Sequence, residues 1–469
     1  MVNELNFTVI SDTHYYSKKN YVDGFDKSKK QKSDQLFFSA SEEIVNHTFK
    51  SLCENDTPDI ILISGDLTYN GEKTSHEEMK TALKKLKQNG KKVFVITATH
   101  DYTSPDMPTY GIDKNGKNTQ VESVSRDELL SYYGEFGYND ALAKHESSMS
   151  YVAKLQDGYR LFALNDDFGD PNCGFSDDLI EWIGKQAKTA KEEGQYIIAM
   201  THHPLVAPSP IFTAVAKGDM LSDFELRTKQ LSQFGFDFIL TGHTHMHNIS
   251  CCNVCGKKFY DISTAALTGF PPYYRCITLN KDEKKMDIKT VCVDNVSKID
   301  TDNLSLEQYT KKLFLGVVSK ALYDAEYNYE GFMDFAVGIS IPKETSKKYK
   351  PIFHLIAKFL NRLTFGKVWR FIRFSSGVSK EEINKIYNNK VVPYAIDIAA
   401  NLYKGDGNIP VSSSEYKMTY ALLKKVDILA KPFGKKLNSI GLSSISSAVL
   451  PLVNLGTGSD ANATIYFEE

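Results

Sequence analysis

Five short apolar runs in the first half of the chain each stop at a polar cluster. Phe7–Ile10 runs into Asp12-Thr13-His14, Ile60–Ile63 into Ser64-Gly65-Asp66, and Val93–Ile96 into Thr97–Asp101. Tyr196–Met200 ends at Thr201-His202-His203-Pro204, and Phe236–Leu240 at Thr241-Gly242-His243. Short continuous apolar runs bounded by turn residues predict strands buried on both faces. Between them, Glu77–Gln88 and Ser176–Glu193 carry Leu, Lys and Glu at helical spacing. Such alternation predicts an α/β domain. From Cys251 to Val293 the pattern turns to further strands, Lys257–Ile262, Tyr273–Leu279 and Lys284–Val293. The sheet is therefore expected to double into a sandwich with helices outside.

The texture changes at the polar stretch Ser297–Asn303. Beyond it the spacing predicts helices over Leu306–Tyr327, Glu330–Val337, Tyr349–Phe365, Lys380–Tyr403 and Ser414–Leu429, the first opened by a capping box of Ser305 and Gln308. The expected division is residues 1–298 and a helical C-terminal domain, 299–469. Within the latter, Lys358–Arg373 is both basic and aromatic. A helix with aromatics inward and charges outward is the expected outcome there; a membrane-surface helix is the alternative.

Composition narrows the picture modestly. The 469 residues carry 56 Lys and Arg against 58 Asp and Glu, a formal net charge of -2. That balance gives no pull toward nucleic acid. No apolar run is long enough for a transmembrane helix, and Met1–Phe7 has no signal-peptide core. A cytoplasmic protein is expected, or a secreted or cell-surface one if a leader has been removed; oligomeric state is not legible. Seven irregularly spaced cysteines do not form a disulfide framework. Cys252 and Cys255 lack a second pair, so a hairpin turn that happens to hold thiols outweighs a zinc knuckle, which needs four ligands.

The chemistry gathers at the strand ends, where ligands bind in open α/β sheets. Carboxylate and imidazole there suit borderline divalent metals such as manganese, iron, cobalt and zinc. The Asp12-x-His14, Gly65-Asp66, Ala98-Thr99-His100-Asp101, His202 and Gly242-His243-x-His245 clusters stand in the order found in the calcineurin-like metallophosphoesterase superfamily, which the chain resembles over residues 5 to about 295. The resemblance is nearer to the bacterial branch with class III cyclic nucleotide phosphodiesterases, some of which carry a C-terminal helical domain. It implies a four-layer α/β/β/α sandwich followed by a mostly helical domain. It also implies a two-metal centre that hydrolyses a small phosphoester by a metal-bridging hydroxide. Asp12, His14 and His245 would hold the first metal, His202 and His243 the second, and Asp66 would bridge them. His100 would serve the leaving group, oriented by Asp101.

One position departs from the family pattern. Thr99 stands where the family has an asparagine that binds the second metal, so that metal is expected to be held weakly. Tyr69 completes G-D-x-x-Y but is expected to pack or touch substrate, since its ligand role belongs to a branch with glycine in place of His14. His203 is expected to support His202. His76, His145, His247 and His354 are expected to be core or solvated histidines, and Asp166 and Asp167 to cap or to shape the pocket. A phosphodiester, with cyclic nucleotides among the candidates, is the leading substrate. A phosphomonoester is the alternative, and a scaffold with a weakened second site is a third.

Overall fold

Ile60–Ser64 and Tyr196–Met200 have scarcely a polar position, and the fold buries them on both faces. A computed structural model describes residues 4–21, 31, 34–104, 109, 111–112, 118–167, 173–209, 212, 217–338, 343–372, 374–405, 409–431, 443–453 and 460–467. Arg373 and residues 105–108, 110 and 113–117 of the Tyr102–Val124 loop lie outside the described residues.

The strands in chain order are β1 (Glu4–Ile10), β2 (Ile60–Ser64), β3 (Lys92–Ile96), β4 (Gly111–Ile112), β5 (Asn118–Thr119), β6 (Ala143–His145), β7 (Ser150–Gln156), β8 (Tyr159–Ala163), β9 (Tyr196–Met200), β10 (Phe238–Thr241), β11 (Asn248–Val254), β12 (Lys257–Ser263), β13 (Tyr273–Asn280), β14 (Lys285–Cys292) and β15 (Ala463–Tyr466). One sheet runs β15-β14-β13-β1-β2-β3, the other β11-β12-β10-β9-β8-β7-β6, and β4 with β5 forms a separate hairpin. β1, β2 and β3 are parallel, as are β8, β9, β10 and β12.

Side-chain alternation sorts the layers. Leu5, Phe7 and Val9 of β1 and Ile60 and Leu62 of β2 face Leu161, Ile198, Met200, Phe238 and Leu240 between the sheets. The other face of β2, Ile61 and Ile63, packs on Ile44, Val45 and Leu52 of helix Ser41–Glu54 and on Met79 and Leu83 of helix Lys73–Gln88. Across the molecule, Phe162, Ile197 and Ile239 pack on Leu179 and Ile183 of helix Asp177–Glu192 and Leu231 of helix Phe224–Phe234. Each fully buried side chain of this kind contributes about 1.5–3 kcal/mol. The arrangement is the expected α/β/β/α sandwich.

Helices fill most of the tail. Leu306–Tyr327 begins at the expected capping box. Two expected helices are each broken in two: Tyr349–Phe365 becomes Lys350–Asn361 and Phe365–Ile372, and Lys380–Tyr403 becomes Lys380–Ile386 and Val391–Lys404. The two breaks pair with each other. The Phe365 N–H donates to the Asn389 carbonyl, and the Val391 N–H to that of Leu363, beside a Thr364–Lys390 bridge. The expected strand Phe236–Leu240 starts two residues late because the Phe236 N–H turns back to Leu231 at the preceding helix end. One tail element had no sequence signal. β15 pairs antiparallel with β14 and sends Ile465 and Phe467 into the inter-sheet core.

The tail also touches the loop after β10. The His247 N–H donates to the Tyr403 carbonyl (2.8 Å), and the fully buried Arg275 joins Asp460 O (2.8 Å) to Ser263 O (2.9 Å). All seven cysteines are free, and Cys252 and Cys255 belong to the β11–β12 hairpin and its turn.

Candidate metal centre

The parallel strands β1, β2 and β3 of one sheet and β9 and β10 of the other deliver their polar clusters to one edge. Hydrogen bonds knit the turns together: Asp12 N–H to Gly65 O (3.2 Å), His14 N–H to Asp66 O (3.0 Å) and Gly242 N–H to His202 O (3.0 Å). The His243 N–H crosses between the sheets to Asp12 Oδ2 (3.1 Å). Five side-chain donors sit on left-handed backbone: Asp12 (φ 50°), His14 (39°), Asp66 (49°), His243 (63°) and His245 (58°). This region costs non-glycine residues about 1–3 kcal/mol each and persists only where surroundings over-determine it. Gly65 (φ 99°) is required by close approach, since a Cβ there would lie 2.7 Å from the His202 ring and 2.9 Å from Ala98 Cβ.

Three donor sets result: Asp12, His14 and His245; His14, Asp66 and His100; and Asp66, His202 and His243. Within each, one ligand atom per residue lies within 4.8 Å of the others. His14 and Asp66 each belong to two sets, so the sets form one chain. The donors fit cations. Asp12 Oδ1 is buried without a hydrogen bond, although His14, His202 and His245 nitrogens stand 3.4–3.9 Å away. His202 Nε2 lies 3.1 Å from Asp66 Oδ2 but lacks hydrogen-bond geometry. Nε2 atoms of His14 and His245 face each other at 3.1 Å. Buried polar atoms are normally partnered, so converging lone pairs of this kind call for positive charge. Burial would lower the His202 imidazole, but the Asp66 and Asp12 carboxylates push it up to about 10.

Three of the rings are aimed by their other nitrogens. His202 Nδ1 pairs with the Ser64 carbonyl (2.7 Å), which leaves Nε2 for a metal. His245 Nδ1 pairs with the Gln35 amide (3.3 Å). His100 Nδ1 pairs with the Tyr69 carbonyl (2.8 Å), while its backbone N–H donates to Asp66 Oδ1 (3.1 Å). The Nδ1 contact with Tyr69 corrects the expected part of Asp101, which does not orient the His100 ring. The Asp101 carboxylate folds back under the turn, accepting the N–H groups of Thr68 (2.8 Å) and Ala98 (2.9 Å), and burial pushes it up to about 7. Thr99 opens the same short turn, half-buried beside His100.

Asp166 has a larger part than strand capping suggested. It accepts the N–H groups of His202 (3.2 Å) and His203 (2.7 Å) and the Thr201 hydroxyl (2.9 Å), and faces His203 Nδ1 at 3.1 Å. It thus sets the turn that presents His202. The Tyr69 hydroxyl donates to the Asp34 carboxylate and its ring packs among Tyr16 and Phe38. His76 bonds Tyr133 and the Asp101 carbonyl, His145 bonds Ser148 and Asp178, and His247 bonds Thr290. These three are satisfied structural histidines, and His354 is exposed. Sequence reading missed Gln35, which carries no motif, and the two carbonyls, which no side-chain pattern can mark.

Comparisons with known proteins bear on this geometry. The calcineurin-like phosphoesterase model matches residues 5–247. Among solved structures, a dimetal phosphatase from Danio rerio is 14% identical with a TM-score of 0.44, covering 62% of this chain and 99% of its own. A purple acid phosphatase from yellow lupin is 13% identical with a TM-score of 0.43, covering 63% of this chain and 53% of its own. A 5'-nucleotidase precursor from Thermus thermophilus is 11% identical with a TM-score of 0.35, covering 68% and 59%. A comparison with curated protein sequences returned no match. The family match spans more than half of the chain and every donor above, and it makes this protein a member of the calcineurin-like phosphoesterase family, a metal-dependent hydrolase of phosphate esters.

Proposed function

We propose that the chain hydrolyses a phosphodiester at a binuclear centre whose donors divide around Asp66. Asp12, His14 and His245 would hold one cation, and His202 and His243 the other, with Thr99 at the position where the family has an asparagine ligand. The observation that carries this division is that Asp66 shares one donor set with His14 and another with His202 and His243. Divalent cations there supply an acidified water and neutralise charge developing on the phosphoryl oxygens.

The remaining work falls to the chain's own side chains. Asp66 would join the two donor sets, and the Ser64 carbonyl and Asp166 keep His202 turned toward them. With Nδ1 committed to the Tyr69 carbonyl, His100 has Nε2 as the atom that carries a proton to the leaving oxygen.

The choice of a diester rests on the resemblance of the motif order to phosphodiesterases, and a phosphomonoester is the alternative.

The test is hydrolysis of bis-p-nitrophenyl phosphate against p-nitrophenyl phosphate by manganese-loaded protein, followed by cyclic nucleotides. Faster diester hydrolysis, lost in Asp66→Ala, is the expected result. A preference for the monoester would overturn the substrate reading, and no hydrolysis of either at any metal load would overturn the catalytic one.

A further inference from the structure

Helix Lys350–Asn361 has two apolar faces, and only one is used. Phe353, Ala357 and Leu360 turn toward the rest of the tail, where Phe353 meets the Phe332 ring at 5.4 Å. Ile352, Leu355, Ile356 and Phe359 turn to solvent, 53%, 67%, 49% and 61% exposed. Their spacing places them on one ~100° arc of the helix. Water-facing aliphatic and aromatic side chains in such a stripe mark an interaction surface. Nearby, Tyr323 and Tyr327 of helix Leu306–Tyr327 are also exposed and lie ring to ring at 4.8 Å, with Arg362 Nη2 against the Tyr327 hydroxyl at 3.3 Å. Phe371 and Phe374, on the segment that follows, point outward too. The expectation that the aromatics of Lys358–Arg373 turn inward holds for Phe365 and Trp369, which pack in the tail's own core, and fails for Phe359 and Phe371.

The charges around the stripe say what covers it. Between Glu344 and Glu381 the sequence has no Asp or Glu, while Lys347, Lys348, Lys350, Lys358, Arg362, Lys367, Arg370, Arg373 and Lys380 all fall there. The whole chain is nearly neutral, so this is a local concentration of cation, within which Lys347 pairs with Glu344 and Arg362 with Glu326. Lys358 and Arg362 border the apolar arc on one side by helical spacing. An apolar stripe flanked by lysine and arginine, with tyrosines at its margin, is complementary to the boundary between anionic headgroups and acyl chains. No helix among the described residues is long and apolar enough to cross a membrane, so the fit is to the surface.

We propose that this face of the tail seats the protein on an anionic lipid surface. The helix lies in the interface plane, with Leu355 and Phe359 in the acyl boundary and the flanking lysines on the headgroups.

Flotation of the full-length protein with phosphatidylcholine vesicles, and with vesicles containing phosphatidylglycerol as well, tests it. The protein should float with the second alone, and less as salt rises. In L355E/F359E the apparent partition should fall by about tenfold or more, because two apolar side chains no longer transfer. Both sites are exposed, so thermal midpoint and hydrolysis of a soluble ester should match wild type, separating lost docking from lost folding. Lys358→Gln with Lys367→Gln should weaken binding to the anionic vesicles. Absence of flotation by the wild type, equal flotation with neutral vesicles, or flotation unchanged in L355E/F359E would each overturn the proposal. So would a wild-type dimer by light scattering that this variant makes monomeric without any vesicle binding, which would assign the face to a second copy.

Discussion

The turns after β1, β2 and β9 hold ionisable side chains away from water, whereas helix Lys350–Asn361 holds apolar ones in it. Both are costly placements for an isolated domain, and they are kept in different ways. In the turns, backbone and side-chain hydrogen bonds do the holding, and Asp166 alone accepts from three groups in the His202 turn. On the helix, the stripe stands exposed, while the opposite face does the packing. The contrast separates a site finished by small ions from a surface finished by something large. Buried polar groups with unused lone pairs point to a ligand that fits between side chains, and an open apolar stripe points to one that lies across them.

The contrast can be broken first at Asp66. Asp66→Ala should cost about a thousandfold or more in kcat, because it removes a carboxylate common to two donor sets. Metal analysis of the variant should show lower stoichiometry; full activity would dissolve the idea of a shared donor. Next come two phenylalanines with opposite surroundings. Phe238→Ala, between the sheets and fully buried, should lower unfolding free energy by about 3–5 kcal/mol. Phe359→Ala should change it by no more than about 0.5 kcal/mol. Equal losses by denaturant titration would mean that the stripe is packed after all.

Asp166→Asn should weaken metal affinity by about 10–100-fold, the usual effect of disturbing a group that orients a metal ligand. Its kcat at saturating metal should move less than its metal dependence; a variant with wild-type metal titration would reduce Asp166 to scaffolding. The smallest effect is expected at Thr99→Asn. Restoring an amide oxygen there should tighten the weaker metal by about tenfold, by analogy with lost or gained metal-orienting groups. Identical affinity and stoichiometry, by calorimetry on metal-stripped protein, would show that Thr99 does not limit the second site.

The sandwich was legible because burial on both faces leaves a strand no choice of residue. Ile60–Ser64 and Tyr196–Met200 could hardly be anything else, and the Asp and His residues that end them could only gather at one edge. What failed to show was anything settled by a partner far along the chain. The motif puts Asp101 next to His100, but Thr68 and Ala98 claim its oxygens. The breaks at Thr364 and Lys390 are held by each other, through the bridge and the hydrogen bonds on either side of it. The stripe on Lys350–Asn361 has no signal of its own, because apolar residues on two sides of the helix leave periodicity unable to say which side packs. Gln35 and the Ser64 and Tyr69 carbonyls, which aim the imidazoles, have no sequence signature at all.

The pairing of β15 with β14 has a consequence for the order in which the molecule is made. Residues 293–462 separate the two strands. While those residues are being added, the outer edge of the first sheet stands open, and the stretch of inter-sheet core that Ile465 and Phe467 close is uncovered. An open strand edge is a template for pairing with other chains. Synthesis therefore imposes a waiting period on the enzymatic half, and its length is set by how quickly the helical segment emerges and folds out of the way. A chain stopped at residue 298 would never leave that period, and should associate with copies of itself through β14.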